Sequence, residues 1–474
     1  MSHGLNSSVL SVDVGTSGVR AALFDELGNQ IEHALAVTRR EPGDFIELDP
    51  DALVDEVVST VDELLARPVA AGMEIEASAI STFWHSLVGV DGEGKATTAL
   101  LTWADTRAWK AAKELRAEFD EREIHARTGC RFHPSYWPAK LRWLKTERPE
   151  QFAATQLWLG FAEYLRLKLF AEPLASVSMA SATGIFDQRA CDWDFAFVEA
   201  LGVSKNHLPT IANEDTVRSK QLFIIGDGAA NNIGGGCSTK ENIALMIGTS
   251  GAMRVVYKGD PPARLSPGLW SYRVDRKRVV VGGALSDGGG LLQWLVQRLR
   301  VDDRDGSLQE QLATLDPDAH GLTILPFWSG ERSTGWRTEA QGGIFGLRHD
   351  TTNIDIIRAA LEAIAYRFAL IANDLDEIAP GAAVIATGNA LRSSPVWLQI
   401  IADVLGRSVL FGGAAEASIR GAALLALEAV GKIANIAAVP VSVDEVFEPD
   451  MQRHARYREG LARQQDLYRR LFEE

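Results

Sequence analysis

At 474 residues the chain exceeds what one ordinary hydrophobic core accommodates, so two domains are the first expectation. Its 46% apolar and 23% charged residues are the balance of a globular protein, and a net charge of −15 argues against a general nucleic-acid or anionic-membrane binder. Three scattered cysteines, Cys130, Cys191 and Cys237, form no CxxC pair, which argues against structural zinc and fits a reducing cytoplasm.

In chain order, SVLSVDVG, VRAALFD and QIEHALAVT read as three strands joined by a GTSG turn and a Gly-Asn turn. DPDALVDEVVSTVDELLARPV follows as an amphipathic helix with acidic residues in its first turn, and IEASAISTFWHSLVGVD returns to strand character. From Asp105 to Lys168 charged residues alternate with Leu, Phe and Trp at helical spacing. FIIGDGAANNIGGGC then ends an apolar run on a glycine-rich turn.

IALMIGTSGAMRVVY repeats the strand–GTSG–strand unit, and VVVGGALSDGGGLLQWL leads into a helix. Gly259 to Gly268 reads as an inserted loop. Ile357, Leu361, Ile364, Phe368, Ile371 and Leu375 step along one helical face. AAVIATGNA, PVWLQIIADVLG and IRGAALLALEAVG complete the alternation. Strands alternating with helices in both halves imply an α/β protein, and the repeated unit implies two related domains facing each other. The boundary is placed near residue 245, giving 1–245 and 246–474.

A glycine-bounded turn between strands presents free N–H groups, to which Thr and Ser hydroxyls add donors. Such a turn is a phosphate cradle, although an ordinary hairpin turn has the same letters. Two copies across a cleft grip successive phosphates of one nucleotide. Asp13 stands in an apolar strand beside the first turn and needs a partner there; a hydrated Mg2+ beside phosphates is a natural one. Asp227 ends an apolar run between glycines, a position suited to a general base.

The order DVGTSGVRAALFD, TFWHSLVGVDGEG, WADTRA, GDGAANNIGGGC, IGTSGAMRVV, SDGGGLLQWL and TGNALRSSPVWLQIIADVLG resembles the FGGY carbohydrate kinases, of the actin-like ATPase superfamily, over nearly the whole chain. The resemblance implies two ribonuclease-H-like domains facing across a cleft, with ATP mainly on the C-terminal one and the sugar mainly on the N-terminal one. It implies Asp227 as the catalytic base, and Asp13 together with Asp227 near Mg2+. Gly15, Thr16, Ser17 and Arg20 in the first turn, and Gly248 and Thr249 in the second, match phosphate contacts. Gly289 and Gln293, with Gly388 and Asn389, match nucleotide contacts. Trp84 and His85 match a sugar-touching pair, near which Trp103, Asp105 and Tyr136 are also expected.

Two departures stand out. Gly388-Asn389-Ala390 replaces the family's usual Gly-Gly turn, and the segment Gly202 to Phe223 is short. STFWHSLVGVD, TGCRFHPSYWPAKLRWL and SMASATGIFD resemble the gluconokinase-type branch, which implies D-gluconate as acceptor. His85, Arg107, Arg131, His133 and Lys140 are the cationic or polar groups that could meet a sugar acid, and Trp84, Trp103, Tyr136 and Trp137 could stack on a sugar. The alternatives are a kinase for another polyol or ketose, such as xylulose or glycerol, and a non-catalytic ATP-binding sensor. ATP and a small sugar or sugar acid are the expected partners, without nucleic acid or membrane, and a homodimer is left open. Trp84→Ala and His85→Ala are expected to raise the sugar requirement more than the ATP requirement.

Overall fold

The computed structural model describes residues 6–15, 18–37, 46–213, 221–301, 306–412 and 416–473. Thr16 and Ser17, and part of the short segment after Gly202, lie outside the described residues.

In the first half, β1 (Asn6–Gly15), β2 (Gly18–Phe24) and β3 (Gln30–Val37) form an antiparallel meander. β4 (Met73–Thr82) pairs parallel with β1, and β5 (Leu222–Gly226) pairs parallel with β4, giving the order β5-β4-β1-β2-β3. Val12, Val14, Val19, Ala21, Ala22 and Leu23 are all buried, because helices cover both faces of the sheet. One is Pro50–Leu65, started by Asp49, whose carboxylate accepts from the backbone N–H of Asp51 and Ala52, with Pro50 at its first position. The other is Ala417–Ala429, from the far end of the sequence; Ser11 Oγ donates to Ile419 O at 2.8 Å.

The second half repeats this plan. β6 (Asn242–Ile247), β7 (Gly251–Lys258), β8 (Trp270–Arg273), β9 (Arg278–Leu285), β10 (Ala383–Thr387), β11 (Val409–Gly412) and β12 (Val443–Phe447) form a sheet ordered β8-β9-β7-β6-β10-β11-β12. Within it β9-β7-β6 is antiparallel, and β10 and β11 follow parallel to β6, as β4 and β5 follow β1. The repeated GTSG thus marks a repeated sheet, and the architecture is the expected two-domain ribonuclease-H-like one. A division at residue 245 falls inside β6. The expected inserted loop at 259–268 joins β7 to β8. Helix Asn353–Asp376 carries the anticipated apolar face: Ile357, Leu361, Ile364, Phe368, Ile371 and Leu375 are all fully buried.

The two halves meet where helix Asp227–Gly234 crosses Ala417–Ala429. Only glycine permits this approach: a Cβ on Gly234 would lie 1.8 Å from Ala417 O, and one on Gly421 would lie 1.9 Å from Ala230 O. Farther out, Arg116 donates to Trp336 O at 2.7 Å, and the His125 ring, through Nε2, bonds Leu269 O at 2.8 Å. A carbonyl only accepts, so His125 Nε2 carries the proton.

Burial pushes the His125 imidazolium down to about 4. Between that value and the ordinary one near 6.5 the unfolded chain binds the extra proton, so this group's contribution to stability falls as pH drops through that window. From pH 7 to pH 5 the loss amounts to about 2 kcal/mol. Denaturant midpoints across that range should show it, and His125→Gln should flatten it; an unchanged slope in the variant would remove His125 as the cause. Among the described residues, no helix is long and apolar enough to cross a membrane.

Candidate active site at the junction of the two sheets

Asp227 is the first residue of its helix, set there because β5 ends at Gly226. Its Oδ1 accepts from Gly228 N at 2.8 Å. The turn is held by Trp84, which is 5% exposed. A Cβ on Gly226 would lie 1.9 Å from the Trp84 ring, and one on Gly228 would lie 2.6 Å from it. Ser178 ties both together, its carbonyl accepting from Trp84 Nε1 and its hydroxyl from Gly226 N, each at 3.1 Å. Burial raises the Asp227 carboxyl above the usual carboxylate range, opposed by Arg254, the Gly228 N–H and Arg332. A raised carboxyl in a cleft is a stronger base once ionised.

Trp84 therefore serves as a wedge under the Gly226–Gly228 turn that carries Asp227. Trp84→Ala is expected to destabilise the protein by about 3–5 kcal/mol and to lower kcat by loosening Asp227. Thermal unfolding together with initial rates would check this; a variant of parental stability whose sugar KM alone rises would return Trp84 to the role of a sugar contact.

Asp13 lies on β1 in register with Arg20 on β2 and Ser81 on β4. Arg20 Nη1 sits 3.7 Å from Asp13 Oδ2, and its Nε lies 3.1 Å from a Glu416 carboxylate oxygen. Burial, with the negative charges of Asp227 and Glu416, lifts the Asp13 carboxyl to about 6 against the Ser81 hydroxyl and Arg20. Asp13, Asp227 and Glu416 thus concentrate negative charge beside the first turn. Its flanks, Gly15 and Gly18, pair across β1 and β2, and Gly18 has φ +145°.

On the other side three turns converge. Gly289 N donates to Gly248 O at 2.8 Å, while Gly288 N and Gly290 N each donate to Thr249 O at 3.0 Å. Gly289 also faces Ala390, and Gly388, at φ +109°, lies against the backbone of Ile247. Gly248, Thr249, Gly289, Gly388 and Asn389 are therefore assembled into one surface, with Thr249, Asn389 and Gln293 exposed on it. Asp287, absent from the expected set, is buried behind it and accepts from Ser329 N and Oγ at 3.0 and 3.1 Å.

An aromatic enclosure lies next to Asp227. The His85 ring stands 4.9 Å from Tyr136 and 5.6 Å from Tyr272, edge to face. Tyr136 and Tyr272 hydroxyls are 2.5 Å apart, Tyr272 stacks on Trp270, and Trp336 closes in on His133 and Tyr136. Both halves thus build the enclosure.

The cations expected there from sequence are otherwise engaged. His85 Nδ1 bonds Ala182 O at 2.7 Å, so that nitrogen carries the proton and Nε2 is an acceptor; burial holds its imidazolium down to about 3. His85 is a neutral group. Its φ of +67° is fixed by Lys140, whose buried ammonium donates to His85 O at 2.5 Å and Thr102 O at 2.8 Å. Arg107 clasps Asp105 through Nε at 2.9 Å and Nη2 at 2.8 Å, which also removes Asp105 from the free acceptors. Arg131 pairs with Glu121, and buried His133 bonds Ser135. Trp137 is buried, donating to Ser86 O, and takes no place in the enclosure.

Two arginines that sequence reasoning missed lie here instead. Arg254, on β7, is 9% exposed, and its Nε and Nη1 are buried without a hydrogen-bond partner among the described residues. Its guanidinium rests against Gly228, whose built Cβ would be 3.1 Å from Arg254 Nε. Arg332 lies over the Trp103 ring at 5.4 Å and donates through Nη2 to Leu285 O, while its Nε is buried unpaired among the described residues. Arg254 could have been noticed by the argument used for Asp13, a charge inside an apolar strand; Arg332, in an irregular loop, carries no such signal.

Residues 8–221 match the model of the FGGY family of carbohydrate kinases, N-terminal domain, and residues 243–430 match that of its C-terminal domain. Gluconokinase of Bacillus subtilis (strain 168) is 30% identical, covering 94% of this chain and 91% of that protein. A glycerol kinase of Stenotrophomonas maltophilia (strain K279a) is 28% identical, covering 97% and 96%. Among solved structures, gluconate kinase and ligand-bound xylulose kinase, both from Lactobacillus acidophilus, each superpose with a TM-score of 0.87 over 98% of both chains, at 24% and 25% identity. With both family models matched in order over most of its length, and a relative of 30% identity covering 94% of it, the chain belongs to the FGGY family of carbohydrate kinases.

Proposed function

We propose that the protein transfers the γ-phosphoryl group of ATP to D-gluconate, making 6-phosphogluconate, with Asp227 as general base. The observation that carries this reading is the placement of Asp227: a carboxyl with raised basicity, held by Trp84 and Gly228, facing an aromatic enclosure on one side and Asp13 on the other. The similarity to two gluconokinases supports the choice of acceptor.

ATP would lie along the Gly248–Thr249, Gly289–Gln293 and Gly388–Asn389 surface, with its phosphates reaching Gly15–Arg20. Asp227 takes the proton of the acceptor hydroxyl as its oxygen bonds to the γ-phosphorus, and the bond from that phosphorus to the bridging oxygen breaks to release ADP. His85, Tyr136 and Trp103 would line the sugar, His85 Nε2 accepting a hydrogen bond from a sugar hydroxyl. Asp13, Asp227 and Glu416 suit a hydrated Mg2+, since the buried Asp13 carboxyl is lifted to about 6 partly by the charges of the other two, a repulsion that a cation there would relieve. The ion would supply charge stabilisation at the phosphates. The three cysteines are buried and unpaired, in keeping with work in the cytoplasm.

A second acceptor class has a specific observation behind it, the equal superposition on a xylulose kinase. A coupled ADP-release assay over gluconate, xylulose and glycerol separates the two. Gluconate should give the highest kcat/KM; a higher value for xylulose or glycerol would overturn the assignment.

A further inference from the structure

A sugar acid brings a carboxylate into an enclosure where His85 is neutral and where Lys140, Arg107 and Arg131 already serve protein acceptors. Arg116 is likewise taken, donating to Phe132 O and Trp336 O. Arg20 belongs to Asp13 and Glu416. Arg20 and Arg131 also keep a buried Nε unpaired, but each faces a carboxylate; Arg254 and Arg332, both from the second half of the chain, form no ion pair with a carboxylate among the described residues.

Each keeps a buried guanidinium N–H without a partner among the described residues, which is an expensive state for a charged donor. Arg254 also feels the positive charge of Arg332, and each feels the Asp227 carboxylate and the Tyr272 hydroxyl. They flank the aromatic enclosure: Arg254 opposes Gly282, whose other neighbour across β9 is Trp270, and Arg332 covers Trp103. An anion between the two offsets the repulsion and completes the donors, and a planar carboxylate is the group a guanidinium fork fits best.

Resting on the sugar-acid reading above, we propose that Arg254 and Arg332 together form the receptor for the carboxylate of the acceptor, so that the lobe carrying the nucleotide turns also reads the acid end of the sugar. Neutral polyols fill the same enclosure without pairing these charges. Selectivity for acids then comes from two buried donors that a neutral acceptor leaves unmatched.

The test measures kcat/KM for gluconate and for xylulose with parent protein, Arg254→Gln, Arg332→Gln and the corresponding lysine variants. Thermal midpoints and ATP binding serve as folding controls. Each glutamine variant should lose about a hundredfold or more of the gluconate-to-xylulose preference, mostly through a higher KM for gluconate. The lysine variants should recover part of it. Calorimetric gluconate binding to Asp227→Asn protein should weaken in parallel when either arginine is replaced. Equal losses with both acceptors, as expected of arginines that hold the transferring phosphoryl group, would overturn the proposal, as would an unchanged preference in folded variants. A parent protein that does not prefer gluconate refutes the substrate reading before any arginine is altered; a parent that does, with variants that keep the preference, refutes the arginine assignment alone.

Discussion

Asp227→Asn is expected to lower kcat by about 10²- to 10⁴-fold while ATP still binds. The asparagine keeps the size of the side chain and can still accept from Gly228 N, so the turn packed on Trp84 should keep its geometry. What disappears is the acceptor for the hydroxyl proton. The pH profile supplies a second, independent readout. A general base at Asp227 acts in its ionised form under the proposed mechanism, and burial raises the Asp227 carboxyl above its ordinary value of 3.8. Activity of the parent protein should therefore fall, as pH is lowered, at a higher pH than an ordinary aspartate would give. In the variant the part of that limb due to Asp227 should be missing, and what remains from Asp13 should move to lower pH, because the Asp227 charge that helps lift Asp13 to about 6 is gone. A variant that keeps parental turnover would point instead to an ATP-binding sensor of the same fold, in which hydrolysis owes nothing to this carboxylate.

Much of this arrangement is legible in the sequence because it is written locally. The second GTSG turn, at 248–251, the carboxylate between glycines at 226–228 and the apolar face of helix Asn353–Asp376 each occupy one short stretch of chain, and their letters determine their geometry. Internal recurrence then reveals the paired sheets. Side-chain partnerships are different, because they form between segments far apart. Lys140 reads as a free cation on a helix, yet its acceptors are backbone carbonyls 38 and 55 residues away. His85 reads as a polar sugar contact that could be charged, but burial and the Ala182 carbonyl fix it as neutral. Trp84 reads as a ring for stacking on sugar, and only the proximity of β5 to β4 turns it into the support of Gly226 and Gly228. Arg332 is the extreme case. Nothing near it in sequence predicts where it points.

The loop that carries Arg332 is anchored by Glu331, and Glu331→Gln is expected to destabilise the second lobe by about 3–5 kcal/mol. Glu331 is 2% exposed and pairs with equally buried Arg367, on the long helix Asn353–Asp376. The oxygen facing Arg367, Oε1, also accepts from Gly335 N at 3.1 Å, and Oε2 accepts at 2.6 Å from the hydroxyl of Tyr468, on the C-terminal helix Met451–Phe472. One carboxylate therefore pins the loop 331–337 to two helices, with partners 36 and 137 residues away in the chain. Glutamine preserves shape and some hydrogen bonding but leaves the Arg367 charge buried without its counter-charge, the condition under which a lost partner is most damaging. Tyr468→Phe removes a single hydrogen bond to a charged acceptor and should cost less, about 1.5–3 kcal/mol. Replacing both charges, as Glu331→Gln with Arg367→Met, should recover most of the loss, because no uncompensated charge is left behind. Hydrogen exchange across 331–337 and urea midpoints would measure all three. A double variant as unstable as the single one would mean that the loop is held by shape rather than by charge. If charge is the cause, the single variant should also weaken gluconate binding more than ATP binding, since the segment it frees is the one that carries Arg332 over Trp103.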